Sequence, residues 1–462
     1  MAISSSSSDR DEMKHVAVIP FPFGSHRITL PNLVFKLAHA APNVVFSYIA
    51  PPQHNQEVFS KPNIPQNVKR FDISDGVPEG HVLGNNPIEK IDLFLKSCPQ
   101  NLKQAVVDLA VKSTNLRVTC ILSDAFMTPS LTLAQELKVP WIPVWVCLPT
   151  AMSPHFYAHI VQQHCAKHGM ESDKLVDFLP GVFQMRIADL PYESRIIDED
   201  KETTVMSRTL NSFGKTLPQA KAVVVNFYEE IVPPLFVEDM RSKLQSMLFV
   251  GVLTLFPSPF SSSPPLMDPS GCLEWLEKQR SRSIVYICFG TVTVPPPPEL
   301  VSIAEALEAG EFPYLWVIRD DLKGILPDGF VSGTIKRGKI VPWAPQMQVL
   351  AHESVGVYVA HSGMNSMMES AANGVPMICR HFFADQGMCG RTASDVWGFG
   401  LKLKEFTKTG LMKSLNLILM QEEGNKVREN ALKMKTTLQD VAKPEGKAAH
   451  DFKTLVELIS TS

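Results

Sequence analysis

The stretch GVYVAHSGMNSMMESAANGVPMICR, residues 356–380, carries the clearest structural pattern in the sequence. An apolar run, 355–360, ends abruptly at His361, and the polar segment SGMNS leads into a helical pattern that ends at Gly374. A second apolar run, 375–379, follows at once. Short apolar runs that alternate with helical patterns are typical of parallel sheets built from βαβ units. The stretch therefore predicts a strand, a helix and a second strand.

The same alternation extends over most of the chain. Near-continuous apolar runs rich in β-branched residues are typical of strands that are buried on both faces. The predicted strands are HVAVIPF (15–21), VVFSYIA (44–50), VTCILSD (118–124), WIPVWV (141–146), AVVVNF (222–227), MLFVGVL (247–253), SIVYICFG (283–290), PYLWVIR (313–319), GKIVPW (338–343), VGVYVA (355–360) and VPMICR (375–380).

A segment rich in proline and serine, LFPSPFSSSPPLMDPSG, separates two sets of strands. It shows no periodic pattern, which is typical of an interdomain linker. We predict an α/β fold with two Rossmann-like, doubly wound domains that face a cleft, where ligands bind beyond the carboxyl ends of the strands. The predicted units are an N-terminal domain at 1–253, a linker at 254–271, a C-terminal domain at 272–440 and a C-terminal helix at 441–462 that packs back on the N-terminal domain.

Composition narrows the functional classes. The 462 residues carry a net charge of −3, which argues against the basic stripe that nucleic-acid binding requires. The eight cysteines include no Cys-x-x-Cys pair, a pattern that favours free thiols in a reducing compartment. The serine-rich N-terminus lacks the apolar core of a secretory signal, and no apolar run approaches the roughly 18 residues of a membrane span. We therefore expect a cytoplasmic protein without stable membrane insertion.

The polar segment after the strand at 355–360 is a candidate phosphate site. A helix that begins near Gly363 to Asn365 offers unpaired N–H groups and a partial positive charge to an anion. Gly363 allows close approach to the backbone, while His361, Asn365 and Ser366 add side-chain donors. Ser366 and Glu369 also have the spacing of a capping box, so a purely structural role stays open.

Two further features in this half follow predicted strands. Trp343 comes directly after GKIVP, where an aromatic ring can stack on a nucleobase, although a core tryptophan is the alternative. Asp385 and Gln386, in the segment FFADQ, are suited to hydrogen-bond sugar hydroxyls, although an aspartate in a loop is often only solvated.

The N-terminal half offers a candidate catalytic pair. His26 follows the first predicted strand, and Asp124 ends the strand VTCILSD. A carboxylate behind a histidine fixes its tautomer and stabilises the imidazolium formed during proton abstraction. The alternatives are a loop histidine and an aspartate that caps a helix starting at Ala125.

Together these features resemble the plant secondary-product glycosyltransferases, which transfer a sugar from a nucleotide diphosphate sugar to a small acceptor. The signature box of that family begins at a Trp and ends at a Gln, and here it has its usual 44 residues, from Trp343 to Gln386. It contains W-A-P-Q, V-L-x-H, H-x-G-x-N-S-x-x-E, G-V-P and D-Q in order. The segments FPFGSH, ISDGVPEGH, LPQAKAVVVNFYEE and CFGTVTVPPPPEL are similar to the flavonoid 3-O-glucosyltransferase subgroup.

The resemblance implies a GT-B fold and a role for each matching residue. His26 would be the general base and Asp124 its partner. Donor contacts would come from Thr291, Trp343, Ala344, Gln346, His361, Gly363, Met364, Asn365, Ser366, Glu369, Asp385 and Gln386. Acceptor contacts would come from Ser25, Ile88, Val146 and Asp189. The resemblance further implies a UDP-sugar as co-substrate, with no metal and no cofactor. We expect a monomer, although the sequence does not determine the oligomeric state.

The implied reaction is transfer of glucose to a flavonoid 3-hydroxyl with inversion, and Gln386 favours glucose. Several residues depart from the family pattern, among them Met364 for Trp, Ser362 for Cys, His381 for Pro and Cys389 for Asn. Val146, Ile88 and a short segment at 398–410 also depart from it. Another UDP-sugar, another phenolic position, or a nucleotide-sugar-binding protein with little turnover therefore stay open.

The position of Met364 gives a first testable prediction. If the backbone there serves the phosphates and the side chain only packs, Met364→Trp should change UDP affinity by less than about tenfold, or roughly 1.4 kcal/mol. Asn365→Ala and Ser366→Ala should weaken binding more, as measured by calorimetry. Loss of UDP binding in Met364→Trp would show that this assignment is wrong.

Overall fold

The structure is a computed structural model, and it describes residues 13–61, 63–84, 87–196, 204–255, 268–290, 292–333 and 337–462. The predicted donor contact Thr291 lies outside these ranges, and so does most of the predicted linker, residues 256–267. The predicted domain boundaries therefore stay a prediction.

In the described N-terminal residues, seven parallel strands form one sheet in the order β3-β2-β1-β4-β5-β6-β7. Val16 of β1 pairs with Phe46 of β2 on one side and with Cys120 of β4 on the other. The strand order reverses between β1 and β4, because β2 and β3 follow on one side of β1 and the later strands on the other. A crevice therefore opens between the carboxyl ends of β1 and β4. The strands are β1 Lys14–Ile19, β2 Val44–Ala50, β3 Val68–Asp72, β4 Cys120–Asp124, β5 Trp141–Trp145, β6 Val223–Val225 and β7 Met247–Phe249.

In the described C-terminal residues, six parallel strands form a second sheet in the order β10-β9-β8-β11-β12-β13. Its reversal lies between β8 and β11, where Cys288 pairs with Ala360. Residues after Cys288 and after Ala360 therefore share one crevice. The strands are β8 Ile284–Cys288, β9 Tyr314–Val317, β10 Gly338–Val341, β11 Val355–Ala360, β12 Met377–Arg380 and β13 Gly400–Leu403.

Helices connect the strands and cover the sheets. The α-helices are α1 His26–Ala40, α2 Pro52–Phe59, α3 Pro87–Gln104, α4 Val111–Thr114, α5 Pro129–Leu137, α6 Ser153–Phe156, α7 Ala158–His168, α8 Tyr192–Arg195, α9 Val205–Asn211, α10 Phe213–Thr216, α11 Pro234–Lys243, α12 Cys272–Glu277, α13 Pro297–Ala309, α14 Phe330–Gly333, α15 Gln346–Ala351, α16 Met364–Asn373, α17 Gln386–Arg391, α18 Lys408–Met420, α19 Asn425–Val441 and α20 Lys447–Thr461. Within the described ranges, none of these helices combines the length and the apolar character that a membrane crossing needs.

The predicted doubly wound α/β architecture is confirmed, and all eleven predicted strands are present, β2 and β11 with the predicted bounds and the others with fewer residues. The prediction missed β3 and β13. Each lies at the edge of its sheet and carries charged residues, such as Lys69 and Arg70 in β3 and Lys402 in β13. Charged residues on edge strands discourage pairing with other chains, but they also remove the apolar signal.

The last helix, α20, crosses from the C-terminal half to the N-terminal sheet. Leu455 and Ile459 are fully buried in the core cluster that contains β1 and β2. The carboxylate of Asp451 accepts a hydrogen bond of 2.8 Å from the backbone N–H of Phe249 in β7. The expected C-terminal helix thus packs one face on the N-terminal sheet, although it begins at Lys447 rather than at 441.

This packing predicts that α20 contributes to the stability of the N-terminal sheet. Leu455→Ala should lower the free energy of unfolding by about 2–5 kcal/mol, because the deleted side chain leaves a buried cavity. Leu235→Ala is the matched control, since Leu235 is 52% exposed in α11. This variant should change the free energy of unfolding by less than about 0.5 kcal/mol. Equal denaturation midpoints for the two variants would contradict the role of α20.

Candidate active site

His26 and Asp124 meet at the reversal point of the N-terminal sheet. His26 is the first residue of α1, just past β1, and Asp124 is the last residue of β4. The Nδ1–H of His26 donates a hydrogen bond of 2.9 Å to Oδ2 of Asp124. Because a carboxylate only accepts, this contact places the proton of the neutral ring on Nδ1 and leaves Nε2 as the basic nitrogen.

The surroundings hold both side chains in place. Asp124 is fully buried, and its Oδ1 accepts a hydrogen bond of 2.9 Å from the backbone N–H of Phe126. The rings of Phe21 and Phe126 lie 5.1 and 4.5 Å from the imidazole, measured between centroids. The alternative that Asp124 caps a helix from Ala125 is wrong, because the next helix begins at Pro129.

In the C-terminal half, α16 begins at Met364 with Gly363 as its N-cap. No side chain caps this end, so the capping box predicted for Ser366 and Glu369 is wrong. Ser366 Oγ instead lies 3.4 Å from the hydroxyl of Tyr358. The first N–H groups of a helix have no partner inside it, so this end can still receive an anion.

His361 lies directly before this helix and is packed against two glycines. A Cβ atom at Gly290 would lie 3.1 Å from the imidazole, and one at Gly363 only 2.5 Å from it. Burial lowers the pKa of His361 to about 4, so the ring is neutral near pH 7. Its Nδ1 and Oδ1 of Asn365 are buried without a hydrogen-bond partner among the residues that the structure describes. Buried polar atoms of this kind call for a partner.

Glu369 and Gln346 form the next layer. The Nε2 of Gln346 donates to the Glu369 carboxylate, and the hydroxyls of Tyr286 and Tyr358 each donate to Gln346 Oε1 at 3.1 Å. Burial raises the pKa of Glu369 to about 7. A carboxyl group held near its titration point gains from a ligand that offers hydroxyl donors.

The other predicted donor residues lie at the same face. Trp343 is 45% exposed, so the alternative of a core tryptophan is wrong, while Ala344 is buried. Met364 is also buried and packs in the core. Gln386 is 4% exposed, and its Oε1 accepts hydrogen bonds from the backbone N–H groups of Phe382 and Phe383 at 2.9 and 3.3 Å.

Asp385 joins the two halves of the molecule. Its Oδ2 accepts a hydrogen bond of 2.7 Å from the backbone N–H of Leu148, in the loop after β5. Burial raises the pKa of Asp385, while the Leu148 hydrogen bond and the nearby His26 act in the opposite direction. The view of Asp385 as a merely solvated loop residue is wrong, because its carboxylate is bound at the junction of the halves.

The four predicted acceptor contacts differ in their exposure to solvent. Ser25 and Ile88 are exposed, Ile88 to 41%. Val146 is 7% exposed and packs in a core cluster, which leaves little of its surface for an acceptor. Asp189 is 2% exposed, and its carboxylate is bound to Arg391 and Lys402. Its assignment as an acceptor contact is therefore corrected to a contact between the two halves.

The sequence interpretation missed His155. It lies in α6 after β5, 7% exposed, with the rings of Trp145 and Phe213 at centroid distances of 6.3 and 5.3 Å. Burial lowers its pKa to about 4, and its Nδ1 has no partner in the described part of the chain. A histidine shortly after a strand end, in SPHF, was the available signal. Across the described residues, no group of three or more His, Cys, Asp and Glu side chains is arranged to hold a metal ion.

Comparison with known proteins places this geometry in a family. The family model of UDP-glucuronosyl and UDP-glucosyl transferases matches residues 85–446. The chain belongs to this family, and its two facing doubly wound sheets form the GT-B fold. It is therefore a UDP-glycosyltransferase.

Its similar relatives have names that narrow the class. An anthocyanidin 3-O-glucosyltransferase of Vitis vinifera is 41% identical, over 96% of this chain and 97% of the relative. A flavonol 3-O-glucosyltransferase of Actinidia chinensis is 39% identical, over 98% of each chain. A crystal structure of a UDP-glucose: anthocyanidin 3-O-glucosyltransferase in complex with UDP is 52% identical, with a TM-score of 0.93 over 97% of this chain and 99% of that one.

The raised pKa of Glu369 predicts a pH dependence of donor binding. If ribose hydroxyls donate to the ionised carboxylate, affinity for UDP-glucose should rise about tenfold from pH 6 to pH 8, because the ionised fraction rises through a pKa of about 7. UDP-glucose is the suitable probe, since its diphosphate lacks a terminal phosphate group that titrates in this range.

Calorimetry at several pH values checks this prediction. Glu369→Gln is the matched control and should bind with an affinity that no longer changes with pH. His361, with a pKa of about 4, stays neutral over this range in the free protein. Affinity that falls as pH rises would contradict the role of Glu369 and would indicate that His361 takes up a proton from solvent when the diphosphate binds.

Proposed function

We propose that the protein transfers glucose from UDP-glucose to the 3-hydroxyl of a flavonol or anthocyanidin, with inversion at the anomeric carbon. The observation that carries this proposal is the 2.9 Å contact between His26 Nδ1 and Asp124 Oδ2, at the sheet reversal that faces the donor half. The names of the full-length relatives supply the substrate class. One chain contains both halves of the site, and eight free cysteines favour a reducing compartment such as the cytoplasm.

His26 starts the reaction as a general base. Its Nε2 takes the proton of the acceptor hydroxyl, and the acceptor oxygen attacks the anomeric carbon of glucose as the bond to UDP breaks. Asp124 stabilises the imidazolium that forms, because its buried carboxylate already accepts the Nδ1–H hydrogen bond. A single displacement converts an α-linked donor into a β-glycoside.

The donor half holds UDP-glucose and stabilises the leaving group. Trp343 stacks on uracil beside Ala344, and Gln346 with Glu369 takes the ribose hydroxyls. The start of α16, with Gly363, Met364, Asn365 and Ser366, receives the diphosphate through N–H groups and the helix dipole. His361 acts there as a neutral hydrogen-bond donor, since burial keeps it uncharged. Thr291 is proposed for the same contact from its sequence position alone.

Glucose is the donor sugar that the site favours. The Oε1 of Gln386 is bound to backbone N–H groups, so its Nε2 is the group that can donate to a sugar hydroxyl. Asp385 accepts from another hydroxyl. Galactose is the second candidate, because anthocyanidin 3-O-galactosyltransferases of Rhododendron delavayi and Actinidia chinensis are 38% and 39% identical to this chain.

The acceptor lies on the other side of His26. The rings of Phe21 and Phe126 pack against the imidazole of His26 and are themselves buried. They make the wall beside the base apolar, which is typical of sites for small ligands with few polar groups. This apolar setting supports a phenolic acceptor, and the names of the relatives supply the flavonoid class.

Removal of the base tests the mechanism. His26→Ala should lower kcat by about 10²–10⁴-fold with UDP-glucose and a flavonol, because no group then accepts the hydroxyl proton. Asp124→Asn should also lower it, because an amide can donate to Nδ1 and favour the wrong tautomer. His39→Ala is the matched control, an exposed histidine in the last turn of the same helix.

Product mapping and a donor panel complete this test. The product should be the 3-O-β-glucoside, as determined by NMR. Transfer by His26→Ala at the wild-type rate would exclude His26 as the base. A clear preference for UDP-galactose at a fixed acceptor would show that the Gln386 argument is wrong.

A further inference from the structure

We infer that Asp189 is a positioning residue for glycosyl transfer, which ties the segment that carries Asp385 and Gln386 to the acceptor half of the molecule. This inference rests on the proposed function. Asp189 touches neither the base His26 nor, in the proposed reaction, the substrates. It acts through Arg391, Lys402 and the backbone of Gly387.

The contacts of Asp189 cross the junction between the halves. Asp189 lies in the 3₁₀ turn Ile187–Asp189, in the N-terminal half, and is 2% exposed. Its Oδ2 accepts from Arg391 Nε at 2.8 Å, and its Oδ1 accepts from Lys402 Nζ and from Arg391 Nη2 at 3.3 Å. The backbone N–H of Arg186 also donates to Oδ2, at 2.9 Å, and fixes the carboxylate on its own turn.

The same group holds the donor segment in place. Lys402 Nζ donates a second hydrogen bond, of 3.2 Å, to the carbonyl of Gly387, the residue after Gln386. A Cβ atom at Gly387 would lie 2.5 Å from the carbonyl oxygen of Asp189, so the two backbones are in direct contact. The start of α17 therefore contacts Asp189 on one side and Lys402 on the other.

The cluster needs an ionised carboxylate at position 189. Burial alone would raise the pKa of Asp189, but Arg391 and Lys402 outweigh burial and hold the pKa below its usual range. The Arg391 and Lys402 side chains are only 15% and 9% exposed. Arg391 has a second partner, Asp395 at 2.9 Å. Without Asp189, Lys402 would be a buried ammonium with no carboxylate partner, which is strongly unfavourable.

The reaction needs this contact because its groups come from both halves. The acceptor oxygen is placed by the half that contains His26, and the anomeric carbon by Asp385 and Gln386 in the other half. A misplacement of about 1 Å between reacting groups can cost about a hundredfold in rate. In the proposed function UDP is held by α15 and α16, and the contacts of Asp189 and Lys402 described above involve neither helix, so nucleotide binding should not depend on them.

Steady-state kinetics test the inference. Asp189→Asn should lower kcat by about tenfold to a hundredfold, with the KM for UDP-glucose within about threefold. Lys402→Met should lower kcat as well, and the double variant should lose less than the product of the two effects, because both residues serve one contact. Asp239→Asn is the matched control, since Asp239 pairs with Lys243 and Tyr157 inside the N-terminal half.

Hydrogen exchange gives a readout that does not depend on turnover. In the folded protein with UDP-glucose, Asp189→Asn should speed amide exchange in residues 386–391 by about tenfold or more and leave residues 408–420 unchanged. Unchanged exchange in 386–391, or a fall in kcat no larger than that of Asp239→Asn, would overturn the inference. If wild-type protein transfers no sugar to phenolic acceptors, the proposed function fails, and the exchange comparison still decides the role of Asp189.

Discussion

The site depends on one constraint, a fixed separation between the carboxyl ends of the strands in the two parallel sheets. The N-terminal sheet presents His26 and Asp124 at its reversal point, and the C-terminal sheet presents His361 and the start of α16 at its own. In the proposed reaction neither set can transfer a sugar alone, because the proton acceptor and the leaving-group donors lie on different sheets. The hydrogen bond from Leu148 N–H to Asp385, the Asp189 cluster and helix α20 are described contacts that join the halves.

The donor side is organised for a ligand that the protein does not supply itself. His361 Nδ1 and Asn365 Oδ1 are buried without partners in the described ranges, and α16 begins without a side-chain cap. Each of these features costs stability in isolation. A diphosphate would satisfy the helix start, and ribose hydroxyls would satisfy the Glu369 carboxyl group, whose pKa of about 7 reflects its burial. In the proposed function, binding of UDP-glucose would therefore supply partners to the helix start and to Glu369 that folding alone does not provide.

Apolar runs predicted eleven of the thirteen described strands, and the residues after strand ends predicted that His26 and Asp124 lie together. The roles of these residues and of the donor segment stay predictions. The edge strands β3 and β13 were not predicted, because charged residues interrupt their apolar runs. The capping box at Ser366 and Glu369 was wrong because the helix begins at Met364 with Gly363 as its N-cap, so Ser366 lies inside the first turn. Asp189 was misassigned because its partners are about 200 residues away in sequence. Local patterns predict which residues reach the crevice, but tertiary contacts decide which of them face a ligand.

The central claim is that the two halves bring one hydroxyl between His26 and the anomeric carbon. A crystal structure with UDP-2-fluoro-glucose and a flavonol measures this most directly. The acceptor 3-hydroxyl oxygen should lie roughly 2.6–3.2 Å from His26 Nε2, on the face of the sugar opposite UDP. A 3-hydroxyl beyond hydrogen-bond reach of Nε2, or on the same face as UDP, would contradict it.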